Sequence, residues 1–225
     1  MIQKIPLVLA SSSPRRKELL ALGGWMFTIA PAEIDETPLP EEEPRQYVLR
    51  MAENKARVVS TRQSSDVLVI GADTIVVDSS QNKEQILGKP TDAAEATTML
   101  RQLRGHQHLV HTAIAILRSS DSRLLTDCCT TQVPMREYND QEIDAYVSTG
   151  DPFDKAGAYA IQHVDFNPVV NLQGCYANVV GLPLCHLTRT LRKLGIQPAA
   201  DVPGACQAAL GYRCPVFQQI LHGKD

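Results

Sequence analysis

The chain has 225 residues, a formal net charge of −3, and 44% hydrophobic against 21% charged residues. This length and balance fit one globular domain, or one domain with an added lobe, holding enough apolar material for a real core. They exclude a strongly basic nucleic-acid binder, and no apolar run reaches the roughly 18 residues that a membrane span requires.

Residues 7–10, Leu-Val-Leu-Ala, read as a short buried strand. The run Ser11-Ser12-Ser13 then offers an N-cap, and Pro14 suits the first turn of a helix over 14–22. Arg15 and Arg16 follow on that turn, where positive charge opposes the helix macrodipole. Backbone N–H groups, hydroxyls and a guanidinium fork make this an anion site; a capped helix with two solvated arginines is the competing reading. Gly23-Gly24 stops the helix, and 27–30 reads as a second strand. The proline-bounded loop 38–44 holds Glu41-Glu42-Glu43, which reads as a solvated face rather than a metal site. A helix over 44–62 places Tyr47, Val48, Met51, Lys55 and Val58 near one face.

Residues 67–77 form an apolar run broken by Gly71-Ala72-Asp73-Thr74. A carboxylate there is costly unless it is paired, hydrogen-bonded or metal-bound, and Gly71 suggests a bulge beside it. A polar turn over 78–83 leads to a hairpin partner at 85–87. Gly88-Lys89-Pro90 sets a lysine just ahead of a helix over 91–103, capped by Thr91 and stopped by Gly105. Segments 107–117 and 124–136 form a long ribbon, and Asn139 caps a helix ending at 147. The stretch Asp154-Lys155-Ala-Gly-Ala-Tyr159-Ala-Ile-Gln162 carries small residues that let backbone approach a ligand. Its end, 158–162, reads as a strand, and the Gln162 amide can read a base edge. A short strand over 169–173 and a helix over 182–194 complete the regular pattern; from residue 197 onward the tail reads as an appendage. The order of elements gives an α/β fold with a mixed sheet.

Six cysteines (128, 129, 175, 185, 206 and 214) include no C-x-x-C pair, which favours reduced thiols over disulfides or zinc. His106, His108 and His111 resemble a metal spacing, but on a strand His111 faces away from the other two. The N-terminus lacks the charged and apolar regions of a signal peptide, so a cytoplasmic protein is expected. P-loop, dinucleotide-binding, nucleophile-elbow and zincin templates are absent from the sequence.

Seven motifs together resemble the Maf family of nucleoside triphosphate pyrophosphatases. They are Ala10-Ser-Ser-Ser-Pro-Arg-Arg16, Ile34-Asp-Glu36, Asn54-Lys55-Ala56, Gly71-Ala-Asp-Thr74, Gly88-Lys-Pro90, Asp154-Lys-Ala-Gly-Ala-Tyr-Ala-Ile-Gln162 and Asn178-Val-Val-Gly-Leu-Pro183. They occur in the family's order across about residues 5–195 and divide the chain into a family domain, 1–196, and an extension, 197–225.

The resemblance implies an elongated mixed sheet, two lobes and a central cleft, similar to inosine triphosphate pyrophosphatases. It implies hydrolysis of a nucleoside triphosphate to monophosphate and pyrophosphate, with dTTP and UTP as the substrates of the branch that this chain looks like. Asp73 falls at the family's proton acceptor. Arg15, Thr74 and Gln162 fall at positions that set substrate choice, and Ser11, Arg16, Lys55 and Lys89 at phosphate-binding places. Glu36 falls at a metal-linked carboxylate that shares a magnesium or manganese ion with Asp73, a hard oxygen site. No nucleic acid or membrane partner is implied, and a homodimer is one option for assembly. Where the family carries Gly after the Gln, this chain has His163-Val-Asp-Phe-Asn167, expected to reshape the pocket rim. The competing class is a non-catalytic nucleotide-binding regulator of division.

Overall fold

Valine and isoleucine dominate residues 67–77, and in the computed structural model this run forms one central strand, β3 (Leu68–Asp78). The structure describes residues 5–80 and 84–223, so part of the turn expected over 78–83 lies outside the described residues. Along one edge β3 pairs antiparallel with β5 (Gln107–Arg118), which pairs in turn with β6 (Leu124–Pro134). The other edge of β3 is divided. β1 (Leu7–Leu9) runs parallel to its first part, ending at Leu9↔Ile70, with β2 (Phe27–Ile29) outside it. β4 (Gln85–Leu87) pairs antiparallel with its last part, starting at Val76↔Leu87. Between these partners, residues 71–75 carry no strand on that edge among the described residues. The six-stranded mixed sheet therefore narrows to a three-stranded waist there.

The expected bulge at Gly71 is absent. Register with β5 is continuous through Gly71↔Ala115 and Asp73↔Ala113. The glycine answers to a close approach instead. Helix α2 (Pro44–Ser60) crosses it so tightly that a Cβ would stand 2.1 Å from the Ala52 carbonyl oxygen and 2.8 Å from the Ala56 nitrogen.

α2 covers one face of the sheet through Val48, Met51, Ala52, Ala56 and Val59, packed on Val69, Ala113 and Ala115. Val59 completes that stripe; Val58, expected there, is only half-buried. The opposite face carries two separate cores, which make the two lobes. In one, α1 (Pro14–Ala21), α5 (Tyr176–Val180) and α6 (Leu184–Arg192) pack on Leu7, Leu9, Leu68 and Ile116. In the other, α3 (Ala93–Leu103) and α4 (Asp140–Ser148) pack on Val76, Val110 and Val133. Cys128 and Cys129 join opposite faces, and all six cysteines are free.

Other expectations need correction. Residues 158–162 are not a strand, because Gly157 (φ 69°) and Ala158 (φ 59°) are both left-handed and redirect the chain within the short turn Ala156–Ala158, which follows the turn Asp151–Asp154. The strand expected over 169–173 reduces to one bridge, Met135↔Val169. α3 is capped by Asp92, which accepts from the Glu95 N–H at 2.8 Å, while Thr91 donates its N–H and hydroxyl to the Glu95 carboxylate. The tail is no appendage. Its helices α7 (Val202–Leu210) and α8 (Phe217–Leu221) bury Val202 and Ile220, and Arg189 ties α8 to β6 by donating to Ile220 O at 3.1 Å and to Asp127 at 2.7 Å. Among the described residues no helix is long and apolar enough to cross a membrane.

Candidate active site

Successive strand residues point to opposite faces. Asp73 accordingly faces α2, and Thr74 faces the gap between the two lobes. At the waist, where one edge of β3 is bare, both side chains line a single cleft of about 520 Å³. Ser11, Arg15, Arg16, Glu36, Lys55, Lys89 and Gln162 line it too, so the cleft gathers every expected site residue.

One wall is the start of α1. Ser13 caps the helix by accepting from the Arg16 N–H at 3.4 Å, and Ser11 Oγ accepts from the Ser13 N–H at 3.2 Å. Arg16 donates to Gly181 O (2.9 Å), Ser11 Oγ (3.3 Å) and Thr74 Oγ1 (3.1 Å), fastening α1 to β3 and to the end of α5. These bonds engage three of a guanidinium's five N–H groups and leave the rest for the cleft. Burial pulls the Arg16 pKa below its ordinary value, the nearby Asp73 charge opposing; a guanidinium stays charged regardless. Thr74 also bonds Thr112 at 3.0 Å, and Thr112 donates to Asn178 O at 2.9 Å. The basic first turn is thus structural and cleft-lining at once.

The second wall comes from α2 and the loop before it. Lys55 reaches from the helix to Asp73 Oδ1 at 2.6 Å and to Glu36 Oε1 at 2.7 Å, so one ammonium bridges both carboxylates. The Glu36 loop is pinned by Tyr47, whose hydroxyl donates to Glu36 O at 2.8 Å, and by Arg50, which grips Glu42 and Thr37 O. Glu42 is therefore an anchor, not part of a fully solvated acidic face. Burial alone would raise the Glu36 pKa, but its bond to Lys55 and the charges of Lys55, Lys89 and Arg16 hold it below the usual carboxylate value.

The third wall closes the cleft from the other lobe. Asp154 pairs with Arg15 at 3.3 Å across the opening, and buried Lys155 binds Asp151 at 2.8 Å and Asp154 at 2.6 Å. Lys89 is exposed, with no ion pair among the described residues. It stands just ahead of α3 as expected, three residues before the N-cap Asp92, and is a point charge at the rim. Gln162 is exposed in a turn at the mouth. The residues His163 to Asn167 do not line the cleft, so this departure lies behind the rim rather than on it. Sequence reasoning missed Tyr47, Thr112 and the Gly181 carbonyl as supports. Tyr47 had a readable signal in its place on the same α2 face as Lys55, and Gly181 in its place inside the Asn178–Pro183 motif; Thr112 had none.

Fold and site together define a mixed α/β protein with a cationic cleft built around a lysine-bridged carboxylate pair, an arrangement suited to polyphosphate. The sequence profile of Maf-like proteins matches residues 6–194, and the chain belongs to that family. It is 45% identical over 216 residues to a dTTP/UTP pyrophosphatase of Thermomicrobium roseum, covering 93% of each chain. It is 46% identical over 189 residues to a dTTP/UTP pyrophosphatase of Geobacter sp. (strain M21), covering 84% of this chain and 95% of the relative. Among solved structures, a HAM1 protein from Coxiella burnetii overlaps 58% of this chain and 73% of its own, with 16% identity and a TM-score of 0.41. A nucleoside-triphosphatase / dITP/XTP pyrophosphatase from Mycobacterium abscessus has the same coverage, 13% identity and a TM-score of 0.37. Family membership rests on the sequence matches.

Proposed function

We propose that this protein hydrolyses dTTP and UTP to the nucleoside monophosphate and pyrophosphate, as a cytoplasmic enzyme that removes these nucleotides from the pool. The observation that carries this reading is the placement of Asp73, bridged by Lys55, in one cleft with Arg15, Arg16 and Lys89. The names of the relatives agree with it.

In this mechanism the cations hold the triphosphate and neutralise charge on its phosphate oxygens. Asp73 accepts a proton from a water aligned on the α-phosphorus. The water oxygen bonds to that phosphorus, the bond to the α,β-bridging oxygen breaks, and the electron pair leaves on pyrophosphate. Lys55 fixes the carboxylate's orientation and holds a positive charge beside the developing negative one. Gln162, at the mouth, offers an amide acceptor and donor to the N3–H and carbonyl edge of uracil or thymine.

Asp73 and Glu36 are the residues that would hold a divalent ion. Both already turn an oxygen toward one cation, the Lys55 ammonium. Among the described residues no group of three His, Cys, Asp or Glu forms a closed metal site, so phosphate oxygens and water would complete the shell, as suits magnesium or manganese. When bound, such an ion supplies charge neutralisation and a more acidic water.

Release of pyrophosphate from a nucleotide panel, with magnesium and with EDTA, tests the proposal. Turnover of dTTP and UTP that chelation abolishes and magnesium restores is expected. Nucleotide binding without turnover under any metal condition would replace the enzyme by a non-catalytic regulator.

A further inference from the structure

Directly after Gln162 this chain departs from the pattern it otherwise resembles, and the departing residues are anchored from behind. Tyr146, on α4, is buried and faces the turn that carries Gln162. Its hydroxyl accepts from the Ala160 N–H at 2.9 Å and donates to Asp151 Oδ2 at 2.7 Å. Asp151 is held in turn by buried Lys155. The Tyr146 ring stacks on Phe166 at 4.3 Å with an interplanar angle of 9°, and the His163 ring meets it edge-on at 4.7 Å. His163 Nδ1 accepts from the Phe166 N–H at 3.0 Å, which closes the loop on itself.

Two further groups hold the same loop. Tyr176 donates to Ile161 O at 3.3 Å, and Arg136 donates to Phe166 O at 2.6 Å and to Asn167 O at 3.0 Å. The main chain is thus gripped on both sides of Gln162, while the Gln162 side chain has no hydrogen-bond partner among the described residues. A free amide on a fixed backbone suits selective recognition, because a reader whose main chain cannot shift leaves a mismatched base edge unpaired.

We propose that Tyr146, with Phe166 and His163, is a positioning clamp for base selection: it sets where the Gln162 amide meets the pyrimidine edge and takes no part in binding phosphate. The clamp rests on the reading of the site as a dTTP/UTP pyrophosphatase. The expected consequence is separable. Loosening the clamp degrades discrimination between uracil and cytosine, whose edges differ at N3 and at the 4-position, and leaves the polyphosphate end untouched.

Calorimetry in magnesium buffer with α,β-imido-dUTP, α,β-imido-dCTP and inorganic tripolyphosphate measures the two ends without turnover. Tyr146→Phe keeps the stacked ring and removes the hydroxyl; unchanged thermal melting cooperativity checks its fold. It is expected to weaken α,β-imido-dUTP about tenfold, the scale of one hydrogen bond to a fixed group, and to bring the dUTP-to-dCTP preference toward unity. Tripolyphosphate affinity and kcat for dTTP should stay within about twofold while KM rises. His163→Gly should move the same ratio in the same direction by a smaller factor. Three results overturn the clamp: a wild type without uracil preference, a Tyr146→Phe variant that keeps it, or equal losses for α,β-imido-dUTP and tripolyphosphate. If the ratio responds to Tyr146→Phe but neither dTTP nor UTP releases pyrophosphate, the clamp stands and the reaction proposed above falls.

Discussion

Gly71→Ala tests how tightly the fold and the carboxylate pair are coupled. The new Cβ would lie 2.1 Å from the Ala52 carbonyl oxygen, about 1.3 Å short of the 3.4 Å at which ordinary contact begins. Both obstructing atoms nearest to it, Ala52 O and Ala56 N, are backbone, so no rotamer relieves the clash. α2 has to lift from β3, and a lift of that size takes Lys55 Nζ from 2.6 Å to beyond hydrogen-bond reach of Asp73. Overpacking of this kind costs about 1–3 kcal/mol or more, and a lost charge-assisted bond about 1.5–3 kcal/mol. Together they suggest a loss of roughly 4 kcal/mol, and at about 2–4 °C per kcal/mol for a chain of this size the melting temperature should fall by about 10 °C. Pyrophosphate release from dTTP should fall further than the folded fraction does, because the carboxylate loses its partner. Adding Ala56→Gly removes a methyl 3.1 Å away but not the carbonyl, so it should restore little. A Gly71→Ala protein that melts within about 2 °C of wild type with full turnover would refute the argument.

Asp73→Asn keeps the shape and removes the proton acceptor; kcat should drop by about a hundredfold or more with the fold intact by circular dichroism, and wild-type turnover would end the assignment. Gln162→Glu leaves an acceptor-only group when ionised, so the kcat/KM ratio of UTP to GTP should fall several-fold; an unchanged ratio means that Gln162 does not read the base. Burial lowers the His108 pKa from 6.5 to about 4, the Asp78 charge opposing. The unfolded chain therefore binds a proton that the folded chain refuses, and the stability from this site is complete above about pH 6.5 and lost as pH falls toward 4, at most about 3 kcal/mol. Urea titrations across that window should show the decline, and His108→Gln should flatten it; identical slopes in both proteins would exclude His108 as the source.

Much of this molecule is legible from residues alone. Apolar runs gave the strands, and Asn139 marked α4 because its side chain and the Glu142 side chain cap each other's backbone N–H groups. Asp73 stood out because a carboxylate in a valine-rich strand needs a partner. The partner itself was hidden: Lys55 reads as one more position on a helical face until α2 is laid across β3. Residues 158–162 misled because their composition suits a strand, whereas consecutive positive φ angles at Gly157 and Ala158 are a tertiary choice. The tail misled because its short helices are weakly patterned and are held by single buried anchors such as Val202 and Ile220. The cleft was implied by the family resemblance but by no residue pattern, since it arises from two strands sharing one edge of β3 without meeting.

That three-stranded waist also has a mechanical meaning. The lobes are joined through β3, β5 and β6, with α2 laid along one side, so any opening or closing of the cleft must be accommodated as bending and twisting of this narrow ribbon. Narrow ribbons accept more twist than broad sheets. The residues on the pivot move least when the arms swing, and Asp73 and Thr74 are on the pivot. Arg15 and Asp154 are on opposite arms and pair at 3.3 Å across the opening, so a swing of the lobes would act on that pair while the carboxylate keeps its place.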